Sequence, residues 1–399
     1  MIEGYNPMRG ADVDDDFEQL HVLRETCPIG FVDGMYFVTR AEDVDRIGRD
    51  FKTFGQCSFA PTVDEKLGGN PRSDDLKQLG ETDRPVHTEF RRHIASALTN
   101  TAVQNYKPVI ERVGAALLDA FPPDEVDFVA AFALEFPARV IAELAGLPLQ
   151  LASRVRAYAT DMTSTLDPEV ADEVATEAKA RRDQFDQEVL EFILDVRANG
   201  QVPGVLLHHL LEARNADGSS PSDARLMTAF TKDLVFGGTD TTAHLLGNLL
   251  YQVLSVPGLY QEIRADRSLV PATVEESLRH LSPVSFTHRM ALHDVKVGDT
   301  EIPRGSVLML ALGSANRDEA RFPDSDRFDI RRKNLNHFAF NKGIHLCVGA
   351  PLVRIEAITG LNLILDRYTG MALAPDAAYK RVSFYFMRGP RSLQVRLTP

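Results

Sequence analysis

The order of apolar and polar residues predicts that most of this chain is helical. Six helices are expected between residues 85 and 215, near 85–99, 101–120, 129–145, 149–165, 168–199 and 203–215. Apolar residues then recur over roughly 223–254, which predicts the longest helix of the chain, about 45 Å long at 1.5 Å per residue. Two further helices are expected near 271–279 and 350–367.

Strand patterns occupy three shorter parts of the chain. From Ile29 to Val38, two apolar runs flank the turn Asp33-Gly34, which is typical of a β-hairpin. Short strands are also expected at 287–291, 295–297, 300–303 and 306–311, with a final pair at 382–387 and 392–397. We therefore predict one domain over residues 1–399. It should be mainly α with a smaller β region, and its sheets should lie near 29–39, 287–311 and 380–397.

The middle of the longest predicted helix contains two adjacent glycines, in the run Gly237-Gly238-Thr239-Asp240-Thr241. Two helical glycines cost roughly 1–2 kcal/mol relative to alanine. A destabilising glycine pair is expected in a helix where a ligand must touch the backbone or where the helix must open. On this interpretation Asp240 and Thr241 are a buried acid and alcohol suited to relaying protons. The alternative is that two helices meet here, with Thr239 or Asp240 as an N-cap.

A second glycine-rich run surrounds a single cysteine near the C-terminal end. Cys347 follows His345 by two residues and lies between Gly343 and Gly349, directly before the helix expected at 350–367. Glycine lets a ligand approach the backbone closely, and backbone N–H groups near a helix start favour an ionised sulfur. The pattern indicates a thiolate presented to a large flat ligand. The alternative is a buried cysteine in a glycine-rich loop.

Composition excludes several classes of function. A net charge of -13 argues against nucleic-acid binding. The three cysteines, Cys27, Cys57 and Cys347, form no CxxC pair, so we expect a reducing, cytoplasmic location without a cysteine-rich zinc or iron–sulfur site. Residues 1–20 are acidic and contain no apolar run, so neither a signal peptide nor a membrane anchor is expected.

Taken together and in this order, these segments resemble the cytochrome P-450 family of haem-thiolate monooxygenases, and the soluble bacterial type fits best. The cysteine loop falls on the family's haem-loop pattern at Phe340, Gly343, His345, Cys347 and Gly349, with matching Leu352, Arg354 and Glu356 after it. The run from Gly237 to Thr241 matches the oxygen-activating groove of the family's long helix. Asn341 departs from the pattern, in which a second glycine is usual.

Further matches concern charged residues elsewhere in the chain. Glu276 and Arg279 match the family's Glu-x-x-Arg pair, and Arg327 matches the residue that completes this structural ion network. The residues that match contacts to the haem carboxylates are His87, Arg91, Arg289 and His345.

The resemblance implies a haem b between the long helix and the cysteine loop, with Cys347 as the axial thiolate ligand and Asp240 and Thr241 delivering protons. It implies O2 as co-substrate and hydroxylation of a small hydrophobic molecule. No flavin or reductase segment fits in this length, so electrons from NAD(P)H would arrive through a separate ferredoxin and its reductase. Candidate basic contacts for that acidic partner are Arg92, Lys107, Lys342 and Arg354.

By family position, the substrate pocket would include largely apolar residues, which suggest a terpenoid or aromatic compound. They are Phe54, Phe59, Phe230, Leu234, Val284, Phe286, Thr287, Phe384 and Tyr385. Two other functions remain open at this point. One is a peroxide-driven peroxygenase on the same fold, and the other is a haem-binding sensor or carrier without turnover.

Overall fold

The computed structural model describes residues 6, 17–56, 74–167 and 169–399. Most of these residues are helical, as the apolar pattern predicts. The helices before the longest one span Phe17–Thr26, Ala41–Arg49, Val86–Ala95, Asn100–Gln104, Lys107–Asp119, Glu135–Ala145, Leu149–Ala152, Val155–Leu166, Asp172–Asn199 and Val205–Leu211. Those after it span Leu259–Ala265, Val270–His280, Leu312–Ala315 and Ala350–Arg367.

The longest helix, called the central helix here, consists of three consecutive stretches. Asp223–Thr228 and Gly237–Ser255 are α-helical, and Ala229–Phe236 between them is π-helical. The hydroxyl of Ser222 caps the start by accepting a hydrogen bond from the N–H of Arg225 at 3.0 Å. Gly237 has helical backbone angles (φ -62°, ψ -30°), so the helix continues through the glycine pair. The alternative of two helices meeting at Thr239 is therefore wrong.

Within the described ranges, ten strands form three sheets. They are β1 Ile29–Val32, β2 Met35–Val38, β3 Phe54–Gly55, β4 Glu125–Asp127, β5 Phe286–Ala291, β6 Val295–Val297, β7 Thr300–Ile302, β8 Val307–Ala311, β9 Gly370–Leu373 and β10 Gln394–Thr398. The largest sheet has the order β1-β2-β8-β5-β3, in which β2 and β8 are parallel. The hairpin at 29–38 and the four strands beyond Pro283 are present as predicted.

Of the last predicted strand pair, the strand at 392–397 is confirmed as β10 and the strand at 382–387 is wrong. Strand β10 pairs with β4 and β9, and no strand forms over 382–387. That segment makes only isolated bridges, between Val284 and Met387 and between Arg381 and Pro390. Its apolar side chains pack inward beside the β5–β8 pair instead, which a strand pattern by itself does not reveal.

The main core surrounds the central helix. Leu245, Leu246, Leu249 and Leu250 are at most 2% exposed and belong to one cluster with the helices packed around them. This burial holds the central helix opposite the segment that carries Cys347. Within the described residues, no helix has both the length and the apolar character that a bilayer crossing requires.

Candidate active site

A cavity of about 230 Å³, partly open to solvent, lies between the central helix and the cysteine loop. The central helix lines it with Leu234, Gly237, Gly238 and Thr241. The loop and the following helix line it with Phe340, Asn341, His345, Cys347, Val348, Gly349, Leu352, Val353 and Glu356. The two glycine-rich motifs, over 100 residues apart in sequence, therefore form opposite walls of one space.

The backbone of the cysteine loop is held in a conformation that few residues tolerate. Asn341 has φ 62° and Gly343 has φ 70°, both in the left-handed region. A Cβ at Gly343 would lie 2.4 Å from the carbonyl oxygen of Gly48, so side chains are excluded there. The N–H of Cys347 donates to the carbonyl of Phe340 at 2.9 Å, which closes the loop.

The Cys347 sulfur is accessible from the cavity and receives backbone hydrogen bonds from Gly349 and Ala350. Burial within the protein raises the pKa of the thiol, whereas these N–H groups and the charges of Arg91 and Arg354 lower it. A coordinated metal ion deprotonates such a thiol outright. The sulfur is thus placed as a metal ligand, supported by donors that favour its ionised form.

Asp240 and Thr241 occupy different sides of the central helix. The hydroxyl of Thr241 donates to the carbonyl of Gly237 at 2.8 Å and lines the cavity. Asp240 is 7% exposed and accepts a hydrogen bond from the hydroxyl of Thr163 at 2.9 Å. Burial raises the pKa of Asp240 to about 6, against the opposing effects of Thr163 and the positive charge of Arg156. Such a group can exchange protons near neutral pH.

The four residues expected to contact haem carboxylates lie near one another and form a basic cluster, of which His345 lines the cavity. The rings of His87 and His345 are 4.3 Å apart, and Arg91 donates to the carbonyl of Leu346 at 2.8 Å. Burial, followed by the nearby arginine charges, lowers the pKa of His87 to about 4. Burial and the charge of Arg289 lower the pKa of His345 to about 2. The cluster therefore favours an anionic ligand.

Three observations show that this site fits a haem. The Nε2 atom of His87 is buried and has no hydrogen-bond partner among the described residues, so it is available to a ligand carboxylate. A Cβ added at Gly237 would meet no atom closer than 3.9 Å, so the protein leaves the space beside this glycine open. A thiol on the opposite wall completes the donor set of a haem-thiolate centre.

The predicted substrate residues divide into two groups. Leu234, Val284, Phe286 and Thr287 line the cavity. Phe54, Phe230, Phe384 and Tyr385 are at most 5% exposed and pack in the hydrophobic clusters, and Phe59 lies outside the described residues. Phe386, which follows Phe384 and Tyr385 in sequence, does line the cavity.

Several lining residues escaped the sequence analysis, among them Leu98, Ile141, Asp233, Leu278 and Leu312. Four of these are apolar residues of separate elements, and nothing local distinguishes them from core residues. Asp233 did carry a signal, since it and Lys232 place two charges within the otherwise apolar run of the central helix.

The structural ion network differs from expectation in its third member. Glu276 and Arg279 are fully buried, and their side chains are joined by hydrogen bonds of 2.7 and 2.8 Å. Arg327 takes part through its carbonyl oxygen, which accepts from Arg279 at 3.1 Å. The second guanidinium comes from Arg332, whose Nε lies 3.4 Å from Glu276. The fold brings Arg332 to this position, which motif matching did not reveal.

The candidate contacts for an electron donor are also not equivalent. Lys342 is 7% exposed, and its amine lies 4.9 Å from the ring of Phe338. Burial lowers the pKa of Lys342 to about 8. Arg354 pairs with Glu275, whereas Arg92 and Lys107 are exposed. Lys342 is thus not placed for a surface contact.

Comparisons with known proteins agree on one family. The family model described as "Cytochrome P450" matches residues 151–381. The chain is 35% identical to cytochrome P450 107B1 of Saccharopolyspora erythraea, covering 90% of this chain and 89% of that protein. It is 33% identical to 6-deoxyerythronolide B hydroxylase of the same organism, covering 80% of this chain and 78% of that protein.

A solved structure of CYP109E1 from Bacillus megaterium in complex with corticosterone has a TM-score of 0.84 and 26% identity, covering 96% of this chain and 98% of that chain. The predicted fold class and family resemblance are confirmed. Members of this family bind haem through a cysteine thiolate and use O2. The chain belongs to the cytochrome P-450 family, and it is a haem-thiolate monooxygenase.

Proposed function

We propose that this monooxygenase hydroxylates a compact, largely apolar organic molecule, with Cys347 as the iron ligand. The observation that carries the proposal is that Cys347 and Thr241 line the same cavity from opposite walls. When bound, the haem supplies the chemistry that activates O2 and inserts one oxygen atom into the substrate. The residues of this chain would hold the haem, bind the substrate and deliver protons.

Residues of the basic cluster would hold the haem carboxylates. His87 offers a buried Nε2 atom that has no partner in the part of the chain that the structure describes, and His345 lies against it. Arg91 and Arg289 add permanent positive charge, so charge-assisted hydrogen bonds to two carboxylates would offset the local repulsion. Gly237, Gly238, Phe340, Gly343 and Gly349 would leave room for the ring or shape the loop beside it.

Asp240 and Thr241 would deliver protons in two stages. Thr241 lines the cavity, and its hydroxyl, which donates to the carbonyl of Gly237, can accept a hydrogen bond from a water and so orient it. Asp240 can take up a proton on the side of Thr163 and Arg156, because its pKa of about 6 lies close to neutral pH. Arg156 in turn donates to Glu135 at 2.7 Å, which continues the polar chain.

The cavity supports an apolar substrate because most of its lining away from the cysteine loop is hydrophobic. This part includes Leu98, Leu234, Leu278, Val284, Phe286 and Leu312. A terpenoid or aromatic molecule meets this description. The relatives named above include a hydroxylase of 6-deoxyerythronolide B and a structure with corticosterone, both of which concern those proteins.

Electrons would come from a ferredoxin and its NAD(P)H-dependent reductase. The surface beside the cysteine loop supports this, since Leu346 is 47% exposed and Arg92 is exposed nearby in the helix Val86–Ala95. Arg91 connects the helix Val86–Ala95 to the cysteine loop through its hydrogen bond to Leu346. An acidic donor would find both a positive charge and an apolar contact there. The cytoplasmic location expected from the sequence stays a prediction.

The test is the absorption spectrum of the reduced protein with carbon monoxide, which reports a thiolate ligand. We expect the thiolate-type spectrum in the wild type and its loss in Cys347→His. A thiolate-type spectrum in that variant would contradict the ligand assignment. Product formation should require O2, NAD(P)H, ferredoxin and reductase together. Turnover with hydrogen peroxide alone, at a higher rate than with the electron-transfer partners, would instead support a peroxygenase.

A further inference from the structure

The central helix carries an acidic side chain in the wall of the cavity. Asp233 lies in the π-helical stretch Ala229–Phe236 and lines the cavity beside Leu234. The adjacent Lys232 is directed elsewhere, because its amine donates to the carbonyl of Leu76 at 3.2 Å. Proton delivery through Asp240 and Thr241 gives no role to a third acid at this position.

Two groups of the protein hold the Asp233 carboxylate in place. Its Oδ1 accepts from the N–H of Leu79 at 2.7 Å, and its Oδ2 accepts from the guanidinium of Arg225. Arg225 is 1% exposed, lies 4.1 Å over the ring of Phe90, and donates to the carbonyl of Lys77 at 2.7 Å. The ion pair is therefore fixed on both sides by buried contacts, so the acid is preorganised.

Counting the part of the chain that the structure describes, the carboxylate of this cavity-lining residue keeps unused hydrogen-bonding capacity. Two oxygens offer about four acceptor positions, and Leu79 and Arg225 occupy one on each oxygen. The wall around the acid is largely apolar, for example at Leu98, Leu234 and Leu312. In such surroundings a hydrogen bond from a ligand donor to the carboxylate is stronger than it is in water.

We propose that Asp233, held by Arg225, is the polar anchor of the substrate site. The substrate is then a largely apolar molecule that carries a hydroxyl or an amine at a distance from the oxidised carbon. Asp233 and Thr241 are eight residues apart on one helix, which corresponds to at most about 12 Å along its axis at the α-helical rise of 1.5 Å per residue. A donor bound to Asp233 therefore helps to select which carbon is oxidised. The inference rests on the proposed function and adds the substrate class to it.

A purely structural role, in which Asp233 only fastens Leu79 to the central helix, predicts lower stability on mutation but no ligand preference. Ligands that differ only in their terminal group distinguish the structural role from the ligand-binding role. Suitable probes are N-alkylimidazoles of graded chain length ending in a methyl, a hydroxyl or an amine. Their imidazole nitrogen coordinates haem iron and shifts the absorption spectrum, so each Kd is measured without turnover.

In the wild type we expect the hydroxyl or amine probe to bind about tenfold more tightly than the methyl probe at one chain length. The preference should disappear in the double variant Asp233→Leu/Arg225→Met, which replaces the ion pair with apolar side chains of similar size. The matched control is Asp186→Asn. Asp186 is a half-buried acid, it accepts from Tyr158 at 2.9 Å, and it lies outside the described cavity lining. The control should keep the preference even if its stability falls.

If the double variant does not fold, Asp233→Asn replaces it. Asparagine keeps an acceptor for Leu79 but loses the charge, so the amine preference should fall by several-fold more than the hydroxyl preference. No preference at any chain length in the wild type, or an unchanged preference in these variants, would overturn the proposal. The monooxygenase assignment would survive either result, because it depends on the carbon monoxide spectrum and on product formation.

Discussion

Asp240 and Thr241 are adjacent in sequence but contact different surroundings. Thr241 borders the cavity, and Asp240 is hydrogen-bonded by Thr163 of the helix Val155–Leu166. A proton that reaches the cavity by this route must pass from the acid to the alcohol. The two residues should therefore give different results when each is replaced.

Thr241→Ala should separate electron consumption from product formation. Without the hydroxyl, the proton donor at the cavity is less ordered, so we expect the yield of product per NAD(P)H to fall several-fold while hydrogen peroxide accumulates. Thr241→Ser, which keeps the hydroxyl, is the control and should retain most of the coupling. An unchanged ratio of product to NAD(P)H in Thr241→Ala would contradict the proposed role.

Asp240→Asn should stabilise the protein at alkaline pH. Burial raises the pKa of Asp240 from 3.8 to about 6, so the folded state holds this proton more tightly than the unfolded state. Stability therefore falls as the pH rises from about 4 to about 6, and above that range the ionised acid costs the folded state up to about 3 kcal/mol. Asparagine carries no such cost.

The measurement is the free energy of unfolding in denaturant at pH 5 and pH 8. We expect a gain of up to about 3 kcal/mol at pH 8 and about half of it at pH 5, together with slower turnover. The variant Asp376→Asn, at an exposed position, controls for the loss of a carboxylate. An equal gain at both pH values would show that Asp240 does not titrate in this range.

At the scale of elements, the cysteine loop depends on a helix from the other end of the chain. Gly343 packs against the backbone of Gly48 and Arg49, at the end of the helix Ala41–Arg49. The turn can therefore form only because that helix is in place. This contact links the position of Cys347 to a helix that the apolar pattern did not predict.

Gly343→Ala should weaken both stability and haem retention. An alanine at φ 70° costs about 1–2 kcal/mol, and its Cβ would additionally overlap the carbonyl of Gly48 at 2.4 Å. Gly305→Ala is a matched control, because Gly305 has φ 82° but no atom within 4 Å of an added Cβ. The difference between the two variants in unfolding free energy and in haem dissociation rate measures the contact alone. Equal effects would rule out a specific role of the Gly48 contact.

At the scale of the whole molecule, local and overall charge have opposite signs. The net charge is -13, yet Arg91, Arg92 and Lys107 lie on the helices Val86–Ala95 and Lys107–Asp119, the first of which contacts the cysteine loop. An acidic electron donor would be repelled by most of the surface and attracted to this part. The charge distribution can thus guide the donor toward Cys347.

Arg92→Glu should slow the first electron transfer from ferredoxin about tenfold at low salt, and the difference should shrink as ionic strength rises. Arg304→Glu, in the exposed turn before β8, has the same charge change and should have little effect. The rate is followed by stopped-flow absorption under carbon monoxide. A reduction rate that is insensitive to salt in the wild type would count against electrostatic docking.

The sequence by itself determined the helical character, the first hairpin, the strands after Pro283 and the two glycine-rich motifs. These features depend on local periodicity and on turn chemistry, both of which are visible within about 10–30 residues. The motifs in their order were also sufficient to indicate the family and its haem, because haem ligation requires particular residue types at close spacing.

Only the tertiary structure decided which distant side chains meet. In the structure, the side chain beside Glu276 is that of Arg332 and not that of Arg327. Lys342 is buried, and Asp233 lies in the wall of the cavity. In each case the outcome depends on how segments far apart in the chain pack and on which charges that packing buries. A buried charge is stable only with a partner, and the partner is chosen by the fold rather than by neighbouring residues.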